Sequence, residues 1–269
     1  MKRRAKAGNT AGYTILEVMI VLAVTGALFV STALLLRGRQ AQNEANVSVR
    51  TFESKLQTVA SEVANGYYQN GFNCQPTGNS VIVSPGNAGP GTNLGCVFLG
   101  KIVSLKLANA EVITVVGRQY LSNPPNSTTD VSDLNEAKPI VVAKQNIDIT
   151  ENYDYLYGLQ ITKAVSIADP TKTYKALAFM VQLGGGASTG SVSNGSRRVL
   201  LYGLDGSAAS NNTAAKDIDP ASASFYAVPD GIRLCFLSGN GEKGEIEIGG
   251  TGNQSTTTVL MNKGVGSEC

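Results

Sequence analysis

Residues 15 to 36 read ILEVMIVLAVTGALFVSTALLL, and their only charge is Glu17. As a helix rising 1.5 Å per residue, such a run measures ~33 Å, enough to cross a ~30 Å hydrocarbon core. Lys2, Arg3, Arg4 and Lys6 precede it without an intervening acid, and Arg37 and Arg39 end it. Cytoplasmic flanks of membrane spans are rich in Lys and Arg, so the N-terminus is expected in the cytoplasm and the bulk of the chain is expected to be exported. A secretory signal has a shorter apolar core and an A-x-A-like site after it, and this run has neither. No cysteine lies near its end, which argues against a lipoprotein signal. The bland alternative is a plain single-pass anchor. Glu17 speaks against it, because an ionisable group within a membrane is costly and usually has a partner and a task.

The composition removes several function classes. The chain has no histidine, so a Ser–His–Asp or Cys–His site cannot form. Cys74, Cys96, Cys235 and Cys269 show no C-x-x-C spacing, which argues against a zinc site. Net charge is +2, too small to recruit nucleic acid by its field. GNGEKG at 239 to 244 formally fits G-x-G-x-x-G, but a strand-like run follows where a dinucleotide site needs a helix, so a hairpin turn is expected. LGGGAS at 183 to 188 lacks the Lys-Ser/Thr of a phosphate loop, and NPPN at 123 to 126 reads as a turn. Asn-x-Ser/Thr triplets such as those at Asn126 and Asn211 are expected by chance in a chain rich in Asn and Ser. No enzyme, cofactor or metal is expected, although carboxylates distant in sequence can still meet in a fold.

After Arg39 the apolar residues keep a helical period. Val49, Phe52, Leu56, Val59, Val63 and Tyr67 are spaced 3, 4, 3, 4, 4, with Arg50, Glu53, Lys55 and Glu62 between them. This is the stripe of a helix lying on its own domain. One long helix is expected over roughly 13 to 69, with a bend near Gly38 and an end near Gly71. Beyond it the period shifts toward two. CVFLGKIVSLKL, VITVVGRQY, KPIVVAKQNIDI, DYLYGLQITKAV, KALAFMVQL, RRVLLYGLD, GIRLCFLSG, GEIEIGG and TTTVLM read as strands between Gly-, Pro-, Asn- and Ser-rich turns. Tyr155, Tyr157, Leu159 and Ile161 are expected on one strand face, and Ile232, Leu234 and Phe236 on another. Nine or ten strands, antiparallel and packed on the helix, make an α+β plan.

The segment Gly12-Tyr13-Thr14-Ile15-Leu16-Glu17, after a short basic leader, resembles the N-terminal signal of type IV pilins and type II secretion pseudopilins. The resemblance runs through the apolar helix, with Gly26 at a position where the family often has glycine. It implies cleavage after Gly12 by a membrane peptidase and methylation of the new amine of Tyr13 by the same enzyme. It also implies that Glu17, fifth in the mature chain, pairs with that amine in its own chain or a neighbouring subunit and sets register. Tyr13 stands where phenylalanine is usual, and the apolar run lacks the proline many members carry. The implied plan is a leader (1–12), a transmembrane half-helix (13–36), an amphipathic half (37–69) and an exported β-rich head (70–269). IRLCFLSGNGEKGEIEI carries a weak likeness to the C-terminal hairpins of H-type pseudopilins. A structural subunit of a pilus-like or secretion filament is implied, of the minor kind if the large head is a guide. Its partners would be the membrane, the prepilin peptidase/methyltransferase, other subunits and, indirectly, an assembly platform and ATPase. It would lie in the cytoplasmic membrane and then in a surface filament.

The four cysteines fall on the exported side, where disulfides persist, and their order allows three pairings. The most local set is Cys74–Cys96 with Cys235–Cys269, and the family often closes a C-terminal loop in this way. Free thiols remain the alternative. A membrane-anchored binding or adhesion module competes with the filament reading. For DNA it would need a basic stripe, of which adjacent Arg197 and Arg198 are the only trace.

Overall fold

The computed structural model describes residues 14–69, 71–77, 80–87, 95–121, 133–142, 149–183, 199–205, 218, 225–228, 230–249, 257–261 and 269; for 34–38, 41, 225–227 and 257–261 it describes the backbone only. The chain divides into two compact units, Met1–Glu44 and Ala45–Cys269. A single helix, α1 (Ile15–Asn65), contributes to both and passes through Gly38 as helix.

In the first unit α1 is apolar and bare. Ile15–Ala33 is 19 residues long, and it is exposed from Ile15 to Thr32. Its hydroxyls are satisfied within the helix. Thr25 donates to the Val21 carbonyl at 2.7 Å, Ser31 to Ala27 at 2.8 Å, and Thr32 to Leu28. Bonding back to the i−4 carbonyl satisfies a Ser or Thr hydroxyl without leaving the helix. By length and composition this stretch suffices to cross a membrane.

In the second unit the same helix becomes the core. Val49, Phe52, Leu56, Val59 and Val63 are all buried, as their spacing demands. Tyr67 does not join them. The helix stops at Asn65, four residues short of the expected end, because Gly66 takes φ +69. The Gly66 amide donates to the Val63 carbonyl at 3.1 Å and the Tyr67 amide to Glu62 at 2.8 Å. These paired bonds cap a helix through a left-handed glycine and turn the chain out of the helical path. Tyr67 is therefore left 56% exposed, and Tyr68 enters the core against Phe72 and Phe98.

The remainder is antiparallel sheet. A hairpin, β1 (Phe72–Thr77) and β2 (Ser80–Pro85), forms a two-stranded sheet. Then come β3 (Cys96–Leu105), β4 (Asn109–Arg118), a one-turn helix α2 (Leu134–Ala137), β5 (Ile140–Val141) and β6 (Glu151–Asp154). They are followed by β7 (Gln160–Ser166), β8 (Tyr174–Val181), β9 (Val199–Asp205), β10 (Phe225–Ala227), β11 (Ile232–Leu237), β12 (Lys243–Ile248) and β13 (Thr257–Met261). A seven-stranded sheet has the order β10-β9-β8-β3-β4-β5, with β6 also on β4; a four-stranded sheet runs β13-β12-β11-β7. The described residues thus hold thirteen strands rather than nine or ten. The β1–β2 hairpin is the main addition, and its Asn, Gln and Pro hide it from a hydrophobic scan.

Two expected strands are shorter than their apolar runs. DYLYGLQITKAV is broken at Leu156–Gly158 by a 3₁₀ turn in which Tyr157 and Gly158 both have positive φ, +51 and +69. Tyr157 consequently points outward at 56% exposure, while Tyr155, Leu159 and Ile161 are buried. Among the described residues of KPIVVAKQNIDI only Ile140–Val141 is strand; residues 143–148 lie outside the described set, as do NPPN, Asn126, Asn211, Arg197 and Arg198.

The seven-stranded sheet is buried on both faces. One face, with Val103, Val112 and Leu177, shares a single core with α1 and with Ile161, Ile232, Leu234 and Phe236 of the four-stranded sheet. The other face, with Leu99, Ile102, Ile113 and Met180, packs with Ala137 of α2 and Ile218. Two-sided burial accounts for the continuous apolar runs of β3, β4 and β8, where a half-exposed strand would alternate.

Candidate functional site

Glu17 lies in the first turn of α1, exposed among Ile15, Leu16, Val18 and Met19. Its amide donates to the Thr14 carbonyl at 3.0 Å and to Thr14 Oγ1 at 3.3 Å. Thr14 thus serves as the N-cap, and Glu17 occupies the third helical position, the spacing of a capping box. A carboxylate there also faces the positive end of the helix dipole. Gly12 and Tyr13, the residues the sequence motif assigns to cleavage and methylation, lie outside the described set.

The cysteines are paired as Cys74–Cys96 and Cys235–Cys269, with Cα separations of 6.2 and 5.4 Å. The first ties β1, which follows the end of α1, to the start of β3. The second ties residue 269 to β11, beside a cluster in which Arg233 binds Glu245 at 3.3 Å and Glu247 at 2.9 Å. Glu245 is 2% exposed, so the alternation of GEIEIGG conceals a buried carboxylate whose partner is one strand away.

A second charged cluster was not visible in the sequence. Lys101, in the middle of β3, is 1% exposed and donates to Glu62 of α1 at 2.6 Å and to Glu151 of β6 at 3.2 Å. Glu151 also accepts from Lys55 of α1 at 2.8 Å. The Lys101 ammonium further sits 6.0 Å from the centre of the Tyr67 ring. The cluster thus fastens the last turns of α1 to two strands of the large sheet. Burial pushes the Glu151 carboxyl up; the hydrogen bond from Lys55 and the charges of Lys101 and Lys55 outweigh it and hold the group below its ordinary value. Water reaches the cluster at Glu62, which lines an open polar groove of about 510 Å³ along α1 between Ser54 and Tyr67.

Lys101 faces α1 because β3 slips. The pairing of β3 with β4 shifts register between Phe98 and Gly100. A bulge changes the parity of every later side chain. Phe98 and Val103 therefore share the helix-facing side, although five residues apart, and Lys101 joins them. Gly100 permits the slip, since a Cβ there would meet the Phe179 carbonyl oxygen at 2.0 Å. The lysine in CVFLGKIVSL was the available signal: a cation amid residues apolar enough for two-sided burial must find buried acids.

No family model, no curated protein and no solved structure matches the chain.

Proposed function

We propose that the chain is a filament subunit of the type IV pilin and pseudopilin kind, cleaved after Gly12 and N-methylated at Tyr13. The observation that carries this reading is a lone carboxylate, Glu17, in the first turn of a bare apolar helix directly after Gly12-Tyr13-Thr14-Ile15-Leu16. Cleavage turns Tyr13 into a cation and discards the four basic leader residues. Glu17 then has an amine to pair with, in its own chain or in the adjoining subunit, when the apolar helices pack together. A paired charge is tolerable in such a core where an unpaired one is not, and a single buried pair sets register between helices. The β-rich head and its two disulfides are consistent with export. The chain would insert in the cytoplasmic membrane, be processed by the prepilin peptidase/methyltransferase, and join other subunits as a minor pilin or pseudopilin on an assembly platform driven by its ATPase.

The place of Glu17 in the first turn, where a carboxylate meets the positive end of the helix dipole, favours a second reading. There the Glu17 carboxylate serves only the helix start of a membrane-anchored, extracytoplasmic binding or adhesion module. Intact mass and the N-terminal peptide of the protein from its native membrane separate the two. A chain beginning at Tyr13 with one added methyl supports the filament reading. A chain still beginning at Met1, in cells with an active prepilin peptidase, overturns it.

A further inference from the structure

Three turns of the second unit converge beside the point where α1 enters it. The loop 155–161 is pinned at both ends to the β3–β4 turn: the Tyr155 amide donates to the Ala108 carbonyl at 3.1 Å and the Ile161 amide to Leu107 at 3.2 Å. On one side its tip is held by α1, where Ser48 Oγ donates to the Leu156 carbonyl at 2.7 Å. On the other it rests on the β11–β12 turn, where a Cβ on Gly239 would meet the Tyr157 carbonyl oxygen at 2.6 Å. These contacts lie close to Ala45, the first residue of the unit.

The turns are fixed, yet they present apolar side chains to water. Leu107 is 42% exposed, Leu156 41% and Tyr157 56%. Tyr157 is one of two non-glycine residues with positive φ among the described residues, a conformation unfavourable for a bulky side chain. The backbone therefore bears strain at the position that holds the ring outward.

We infer that this ridge, Leu107, Leu156 and Tyr157, seats the head on the surface of the lipid bilayer. The inference rests on the reading that the apolar half of α1 spans a membrane. Chain connectivity then keeps the ridge near lipid: the nine residues from Leu36 to Ala45 cover ~13 Å as helix and at most ~31 Å extended. The headgroup layer alone occupies ~5–8 Å of that. A tethered surface needs little intrinsic affinity, because the anchor supplies a high effective concentration. Tyrosine suits the site, with a ring that enters the apolar boundary and a hydroxyl that stays wet. Two leucines and a tyrosine on adjoining turns offer the apolar and amphipathic side chains that an interface accepts.

The chain has no tryptophan, so an introduced indole reports alone. The experiment uses full-length Tyr157→Trp in phosphatidylethanolamine/phosphatidylglycerol vesicles, with Tyr67→Trp, at the far end of the α1 core stretch, as the control position. Leu107→Trp repeats the test without touching the strained residue. The expected result is a blue-shifted emission for the Tyr157→Trp and Leu107→Trp proteins, quenched by lipids brominated near the headgroup, with the Tyr67→Trp protein solvent-like and unquenched. Protein that floats with the vesicles while both ridge indoles stay solvent-like overturns the inference and leaves the anchor reading intact. Protein that fails to float overturns the anchor reading, and this inference with it. A blue shift that fades as protein is diluted into more lipid overturns it in favour of contact between copies of the chain.

Discussion

Replacing both acids that hold Lys101, by Glu62→Gln with Glu151→Gln, preserves the hydrogen-bond acceptors and removes only their charge. The ammonium stays at 1% exposure with no carboxylate near it. Breaking a buried pair in this way costs ~3–5 kcal/mol. The opposite change, Lys101→Met, removes the deeply buried charge itself. Glu62 and Glu151 are then left with side chains 22% and 24% exposed, and Glu151 keeps Lys55. Solvent and Lys55 compensate, so this variant is expected within ~1 kcal/mol of the parent, on either side. The assay is urea unfolding of the full chain in detergent micelles, disulfides intact, followed by tyrosine near-UV circular dichroism. With m of ~2–3 kcal/mol per molar, the double variant lowers the midpoint by ~1–2 M. A double variant that loses less than ~1 kcal/mol would refute the argument that desolvation dominates here. So would a Lys101→Met protein as unstable as the double variant.

The same cluster gives a pH dependence. The Glu151 carboxyl is held below its ordinary value in the fold, so its contribution is complete above the unfolded value and is lost as pH falls through the lowered folded one. Urea midpoints taken down an acid series should drop for the parent below pH ~4.5 and drop less for Glu151→Gln. Gly66→Ala places a Cβ at φ +69 in the α1 cap and should cost ~1 kcal/mol, read by the same unfolding curves; no loss would mean the cap is held by other contacts. Opening Cys74–Cys96, which closes 22 residues, and Cys235–Cys269, which closes 34, by paired Ser substitution should cost ~3 and ~4 kcal/mol in the chain-entropy description, and a larger loss for the shorter loop would contradict it.

Much of the architecture was legible because it follows from periodicity. The stripe from Val49 to Val63 needs one buried face, and its spacing says so. It misled only at Tyr67, where a single left-handed glycine ends the period. The long strands β3, β4 and β8 show as apolar runs because both their faces are covered. DYLYGLQITKAV misled for a local reason: alternation persists through it, while two residues with positive φ fold the backbone between them. The Lys101 cluster was hidden for a global one. Its acids stand 39 and 50 residues away in sequence, and a one-residue bulge decides which face the lysine takes. At the N-terminus position alone does not choose a role, since a first-turn carboxylate suits the helix dipole as readily as a subunit register.

The passage of one helix from a bare apolar unit into the core of another has a mechanical meaning. Within the second unit, tension drawn along α1 from Ala45 onward is carried by the helix itself. It meets Val49, Phe52, Leu56, Val59 and Val63 spread along the helix, together with the ion pairs at Lys55 and Glu62. Contacts loaded side by side in shear share the force, whereas contacts loaded one after another fail in turn. A unit built around its own helix is thereby braced against having that helix drawn out.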